Sequence, residues 1–256
     1  MITNLYREEV TMAVPSTFDW YSLDRANLAQ IVCLVEKLVT GKPIHPLEII
    51  KQIRSIFRQF DIPLNFRSCY NKKTDKNSVW VGGLYDAEMD KKVRTPITII
   101  LQFKERDQEL TISRQSFKKL ALRIADTVLH EIVHLRQYRR RFYKTIPGYY
   151  SFASSGKQRI EQTYLGHPDE IDAYSFNIAS DMIDYYGSDI KKITDYLNSD
   201  LRDKRIKKTA YKMYLDAFDH DHTHHVIRTL KKKIMNYLPN AYELGKPYRT
   251  TDWLKK

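Results

Sequence analysis

The stretch Leu129–Gln137 reads LHEIVHLRQ and places two histidines four residues apart, with a glutamate directly after the first. On a helix, residues four apart lie on one face, one above the other. His130 and His134 would therefore present both imidazoles to the same point. Glu131 is offset to one side, close enough to touch a water held there without binding the metal itself. Zinc takes neutral imidazoles readily, and a catalytic zinc keeps one position open for water. The metal brings that water's pKa down toward neutrality, and a carboxylate can take its proton and pass it on. The H-E-x-x-H pattern thus has a mechanism as well as a spelling. The plainer account of the same residues is two surface histidines and a solvated glutamate.

A metal site of this kind needs a third protein ligand. Downstream, HPDEIDAYSFNIASDM offers His167, Asp169, Glu170 and Asp172. Glu170, Ala173, Tyr174, Asn177 and Asp181 form one stripe at steps of three and four, the spacing of a single helix face. Ala173 is small enough to let that face come close to the first helix, and Glu170 then points at the metal. Asp172 falls off the stripe, and His167 precedes the helix.

The two motifs in order, HEIVH and then DEIDAYSFNIA, resemble the gluzincin metallopeptidases, in particular the compact minigluzincins, CAAX-prenyl-type peptidases and the peptidase domains of some bacterial and phage regulators. The likeness covers residues 96 to 185 or so. It implies an α+β, zincin-like fold, with His130, His134 and Glu170 as Zn2+ ligands and Glu131 as general base. It also implies a peptide or protein substrate lying in extended form along an edge strand, TPITIILQF. Several relatives carry an aspartate four residues after the ligand glutamate, where it orients a histidine. This chain has Tyr174 there, a phenol able to serve that role or to reach the oxyanion. DNA-linked zinc proteases of the Spartan type use a third histidine instead, which would make His167 the ligand.

Several elements must position these residues. SLDRANLAQIVCLVEKLVTG reads as one helix, with Ser22 or Asp24 as cap and Gly41 as stop. HPLEIIKQIRSIFRQF reads as a second, with Ile49, Ile50, Ile53, Ile56 and Phe57 on its apolar side. IPLNFRSCY, SVWVGGLYD and TPITIILQF are short and rich in β-branched and aromatic residues, as expected of three strands in one small sheet. DKKVRTP reads as the connection between the last two. From Ser116 the helical period returns, with Phe117, Ala121, Ile124, Val128, Ile132 and Leu135 as the packing stripe and the two histidines opposite it. KTIPGYYSFASSGKQR reads as a loop. PDEIDAYSFNIASDMIDYYG is a helix with Pro168 in its first turn, Asp169 and Glu170 at its acidic start and Gly187 as its stop. SDIKKITDYLNSD and HHVIRTLKKKIMNYL are further helices.

Helices, then strands, then helices make an α+β chain. The whole reads as a single zincin-like domain over residues 1–256. Residues 18–115 supply the N-terminal helices and sheet, 116–187 the metal-binding helices, and 188–256 a helical extension. Residues 1–17 read as a loosely docked arm.

The totals narrow the setting. No run of about eighteen apolar residues occurs, and the N-terminus has no apolar core segment, so neither a membrane span nor a secretory signal is expected. Cys33 and Cys69 are the only cysteines and fit two free thiols in a reducing compartment. The expected location is cytoplasmic, or the host cytoplasm for a phage-encoded chain. The net charge of +12 suits an acidic partner, so a nucleic-acid-associated protein, or an inactive zincin kept as a binding module, stands as the alternative function. RQYRRRFYK offers cations with aromatics for stacking, and equally a solvated helix end. FDHDHTHHV gathers four histidines and reads better as a capped polar turn than as a second metal site.

Overall fold

A computed structural model describes residues 18–92, 94–199 and 210–244. Residues 1–17 and most of LRDKRIKKTAYK lie outside the described residues. The chain forms two compact units. The first takes in residues up to Leu23 and Asn27–Leu135; the second takes in Asp24–Ala26 and the chain from Arg136 on. Helices with small sheets make it an α+β protein. Among the described residues no helix is long and apolar enough to cross a membrane.

In the first unit, a 3-10 turn at Trp20–Ser22 leads into α1 (Arg25–Cys33) and α2 (Glu36–Val39). One continuous helix was expected here. It breaks at Leu34 and Val35, whose amides turn back to Ile31 and Val32 in three-residue steps. Leu28, Val32, Val35 and Val39, at steps of four, three and four, all reach the core across the break. Gly41 follows at φ 76°, the left-handed region that glycine enters without strain. The helix α3 (Pro46–Gln59) fits its prediction, with all five expected apolar residues buried. His45 caps it through Nδ1, which accepts from the Leu47 amide at 3.2 Å, and Pro46 takes the first-turn place where no N–H is needed.

Three strands form one sheet in the order β2–β4–β3: β2 (Asn65–Tyr70), β3 (Trp80–Tyr85) and β4 (Ile97–Phe103). β2 runs parallel to β4, and β3 antiparallel to it with Gly83 opposite Ile99. This overturns one expectation: TPITIILQF is the central strand, not an edge. Ile97, Ile99, Leu101 and Phe103 have no exposed surface, and a strand flanked by partners on both edges is where such an apolar face belongs. The edge is β3. Between β3 and β4 the expected simple connection contains a short helix, α4 (Ala87–Lys91), capped by the Asp86 carboxylate. A two-residue pair, β1 (Pro43–Ile44) with β5 (Leu110–Thr111), was too short to leave a sequence signal.

The helix α5 (Arg114–Arg140) starts with Ser113 Oγ accepting from the Ser116 amide. Its expected packing stripe is buried, but so is the opposite face. His130 is 7% exposed, Glu131 5% and His134 9%, and Leu129 and Val133 are buried with them. The expected division into one packed and one open face does not hold over this stretch.

The second unit is helical: α6 (Gly156–Leu165), α7 (Pro168–Tyr186), α8 (Ile190–Asn198), α9 (Ala210–Ala217) and α10 (His225–Leu244). α6 begins inside the segment expected to be loop, and α9 was not foreseen. α7 and α10 pack along each other, and Ile171, Ile178, Ala179 and Met182 share a core with Val226, Ile227, Leu230, Ile234 and Leu238. α7 stops at Gly187, φ 62°, as the sequence suggested.

Candidate metal centre

His130, His134 and Glu170 each offer a ligand atom, and these atoms all lie within 4.8 Å of one another, close enough to hold a metal ion. Among the described residues no other set of three histidines, cysteines or carboxylates does so. The two imidazoles stand edge to face with Nε2 3.2 Å from Nε2. Both are on the buried stretch of α5, so little water competes for their lone pairs.

Glu170 owes its place to the start of α7. His167 caps that helix through Nδ1, which accepts from the Asp169 amide at 3.2 Å, and Pro168 follows it. The same His-Pro-x-Glu order opens α3. His167 is therefore spent on the cap and does not join the ligand group, whereas the first-turn Glu170 does. The first turn carries the positive end of the helix dipole, which favours an ionised carboxylate there. The end of α5 holds this turn from the other side. Gln137 Nε2 donates to the Asp169 carbonyl at 3.0 Å and to Asp172 at 3.1 Å, and the Arg141 guanidinium grips both Asp169 oxygens. Asp172, off the stripe as expected, is held instead by Lys233 at 2.6 Å.

Three tyrosines surround Glu170. Tyr174 lies with its ring 6.5 Å from that of Tyr164 and 5.7 Å from that of Tyr214. The Tyr164 hydroxyl is hydrogen-bonded to both Glu170 and Tyr174. Loss of its proton is strongly disfavoured, first by burial of the hydroxyl end and then by the nearby Tyr174 and Glu170. Tyr214, fully buried, is likewise held well above the usual phenol range by burial, with Tyr174 and Glu170 adding to it. Tyr164 and Tyr214 remain neutral at ordinary pH. Tyr174 was singled out from the sequence; no spacing rule would have found Tyr214. Glu131 sits beside β3, its carboxylate against Gly83.

The other candidates behave as ordinary structure. The Asp221 carboxylate accepts from the Thr223 amide at 2.8 Å, and His224 Nδ1 from the Val226 amide at 3.3 Å, so the histidine-rich turn is a cap for α10. Cys33 and Cys69 are free and half-buried, and burial pushes the Cys33 thiol up to about 11. α5 ends in a sharp turn, with Phe142 and Tyr143 both at positive φ and the Tyr143 amide donating back to Tyr138. Arg141 from RQYRRRFYK is committed to Asp169. Compared with known protein families, curated proteins and solved structures, the chain matches none of them.

Proposed function

We propose that the chain is a zinc-dependent peptidase, with His130, His134 and Glu170 holding the metal and Glu131 acting as general base. The observation that carries this reading is the spacing of the imidazoles. Two nitrogens bound at about 2.0–2.1 Å in a tetrahedral zinc site stand roughly 3.3 Å apart, and Nε2 of His130 and His134 are 3.2 Å apart. A carboxylate ligand within 4.8 Å completes three protein ligands and leaves a fourth position for water.

Bound zinc supplies Lewis acidity, lowering the pKa of its water and polarising a scissile carbonyl. Glu131, 5% exposed, takes the proton as the water oxygen bonds to the carbonyl carbon. It returns that proton to the amide nitrogen as the C–N bond breaks, giving an acid and an amine. Tyr174, one turn after Glu170 on α7, supplies a phenol for the oxyanion. The capping role of His167 favours this ligand set over a three-histidine one.

Elemental analysis tests the reading. Untagged wild type should hold about one zinc per chain, by the ligand count of such sites. His134→Ala and Glu170→Gln should lose it while staying folded, and His167→Ala should keep it. A peptidase screen against Glu131→Gln follows. Equal zinc in wild type, His134→Ala and Glu170→Gln, or none in wild type, would discard the site.

A further inference from the structure

The middle of β3 is two glycines, Gly82 and Gly83, which face opposite sides of the sheet. A Cβ on Gly82 would meet the Trp80 ring at 2.5 Å, but Trp80 is 53% exposed and can swing away. Gly83 is different. A Cβ there would overlap the Glu131 carboxylate, with Cδ of Glu131 at 2.8 Å and Cγ2 of Thr127 at 2.7 Å. Neither neighbour has an easy retreat. Glu131 is buried, and Thr127 Oγ1 donates to the Arg123 carbonyl at 2.8 Å. The strand cannot back away either, because Gly83 is paired with Ile99, a fully buried residue of the central strand β4.

From this geometry we infer that Gly83 is a positioning residue for Glu131: its missing side chain lets the strand backbone act as the wall against which the carboxylate is held. The chemical meaning rests on the peptidase reading above; the contact itself does not. Gly83 touches no metal ligand in this account. Its effect is on where the general base stands, and a misplacement of about 1 Å can cost on the order of 100-fold in rate. The competing explanation is that Gly83 serves helix–strand packing alone, through Thr127.

Cobalt(II) loaded in place of zinc separates the two. The pH midpoint of its visible band reports ionisation of the metal-bound water, which Glu131 governs. Wild type, Gly83→Ala, Glu131→Gln and the double variant Gly83→Ala/Thr127→Ser are compared. The expected result is full cobalt uptake by Gly83→Ala, a midpoint moved at least half-way to that of Glu131→Gln, and no recovery in the double variant. Turnover should fall on the order of 100-fold with KM held. A wild-type midpoint in Gly83→Ala, or recovery on trimming Thr127, overturns the inference and leaves the metal site standing. Failure of wild type to bind cobalt brings down the peptidase reading and the inference together. Should Gly83→Ala unfold, thermal melts in a Glu131→Ala background decide. The loss on adding Gly83→Ala must shrink there, and an undiminished loss refutes the contact.

Discussion

Arg141 and Asp169 meet in a two-pronged ion pair, Nη1 to Oδ1 at 2.6 Å and Nη2 to Oδ2 at 2.8 Å, one residue before Glu170. Asp169 is 8% exposed and Arg141 22%, so the pair is partly shielded from water. Fork-to-fork contacts of this kind fix orientation as well as adding energy. Arg141→Ala should lower stability by about 1.5–3 kcal/mol, the usual worth of hydrogen bonds to charged groups. It should also weaken metal binding by loosening the turn that carries Glu170. Urea unfolding with and without zinc, and chelator competition, measure the two effects. Arg141→Lys should recover only part of the loss, because an ammonium cannot make both contacts.

Tyr164 offers a test of how much a hydrogen bond to Glu170, the proposed third ligand, matters. Tyr164 is 49% exposed over the whole residue, so Tyr164→Phe should leave the fold intact. The Tyr164→Phe protein loses the donor to Glu170. Groups that orient metal ligands typically account for about 10–100-fold in affinity. A loss in this range by chelator competition, with an unchanged melting temperature, is the expected outcome. Unchanged affinity would mean that the first turn of α7 alone aims the carboxylate.

Acid should destabilise the second unit through His224. Its pKa is held below the ordinary value, first by burial and then by His225, with Asp221 pulling the other way. The ring packs 4.6 Å from Phe218 and 4.7 Å from His225. Between the folded and unfolded pKa values the unfolded chain binds more protons, so stability falls as pH drops through about 6.5. His224→Asn keeps an acceptor for the Val226 amide and removes the titration. Its melting temperature should decline less steeply than that of wild type between about pH 7 and 5.5.

The core between α7 and α10 sets the stability of the ligand helix. Leu230 is fully buried there, and its carbonyl accepts from Ser175 Oγ at 3.4 Å. Leu230→Ala should cost about 2–5 kcal/mol by leaving a cavity. Zinc should offset part of the loss, since a ligand that binds only the folded state stabilises it. Thermal melts with and without metal report both.

The local parts of this arrangement were legible, and the tertiary parts much less so. Pro168, Asp169, Glu170 and Gly187 mark the ends of α7 because caps and stops act within a turn of chain. The stripe of α3 is equally readable, since five buried positions repeat at helical spacing. The order of the strands was not read correctly, although a signal existed. Ile97, Ile99, Ile100 and Leu101 put apolar residues on both faces of the strand, interrupted only by Thr98, as befits a strand covered on both faces. Gly82-Gly83 inside a strand was a second unused signal, because interior glycine often marks a close approach. The break at Leu34, the short β1–β5 pair and the hydrogen bond from Tyr164 to Glu170 left no pattern. Each is decided by neighbours distant in sequence.

The dependence of α7 on α10 has a consequence for the order in which the protein is made. His130, His134 and Glu170 are all synthesised well before Val226 to Leu238, the residues that bury the inner side of the ligand helix. A nascent chain therefore carries all three candidate ligands before it has the helix that packs against the one bearing Glu170. On the proposed zinc reading, tight metal capture waits until α10 has been made, and a ribosome stalled short of α10 releases a chain in which Glu170 has no helix partner to hold its turn.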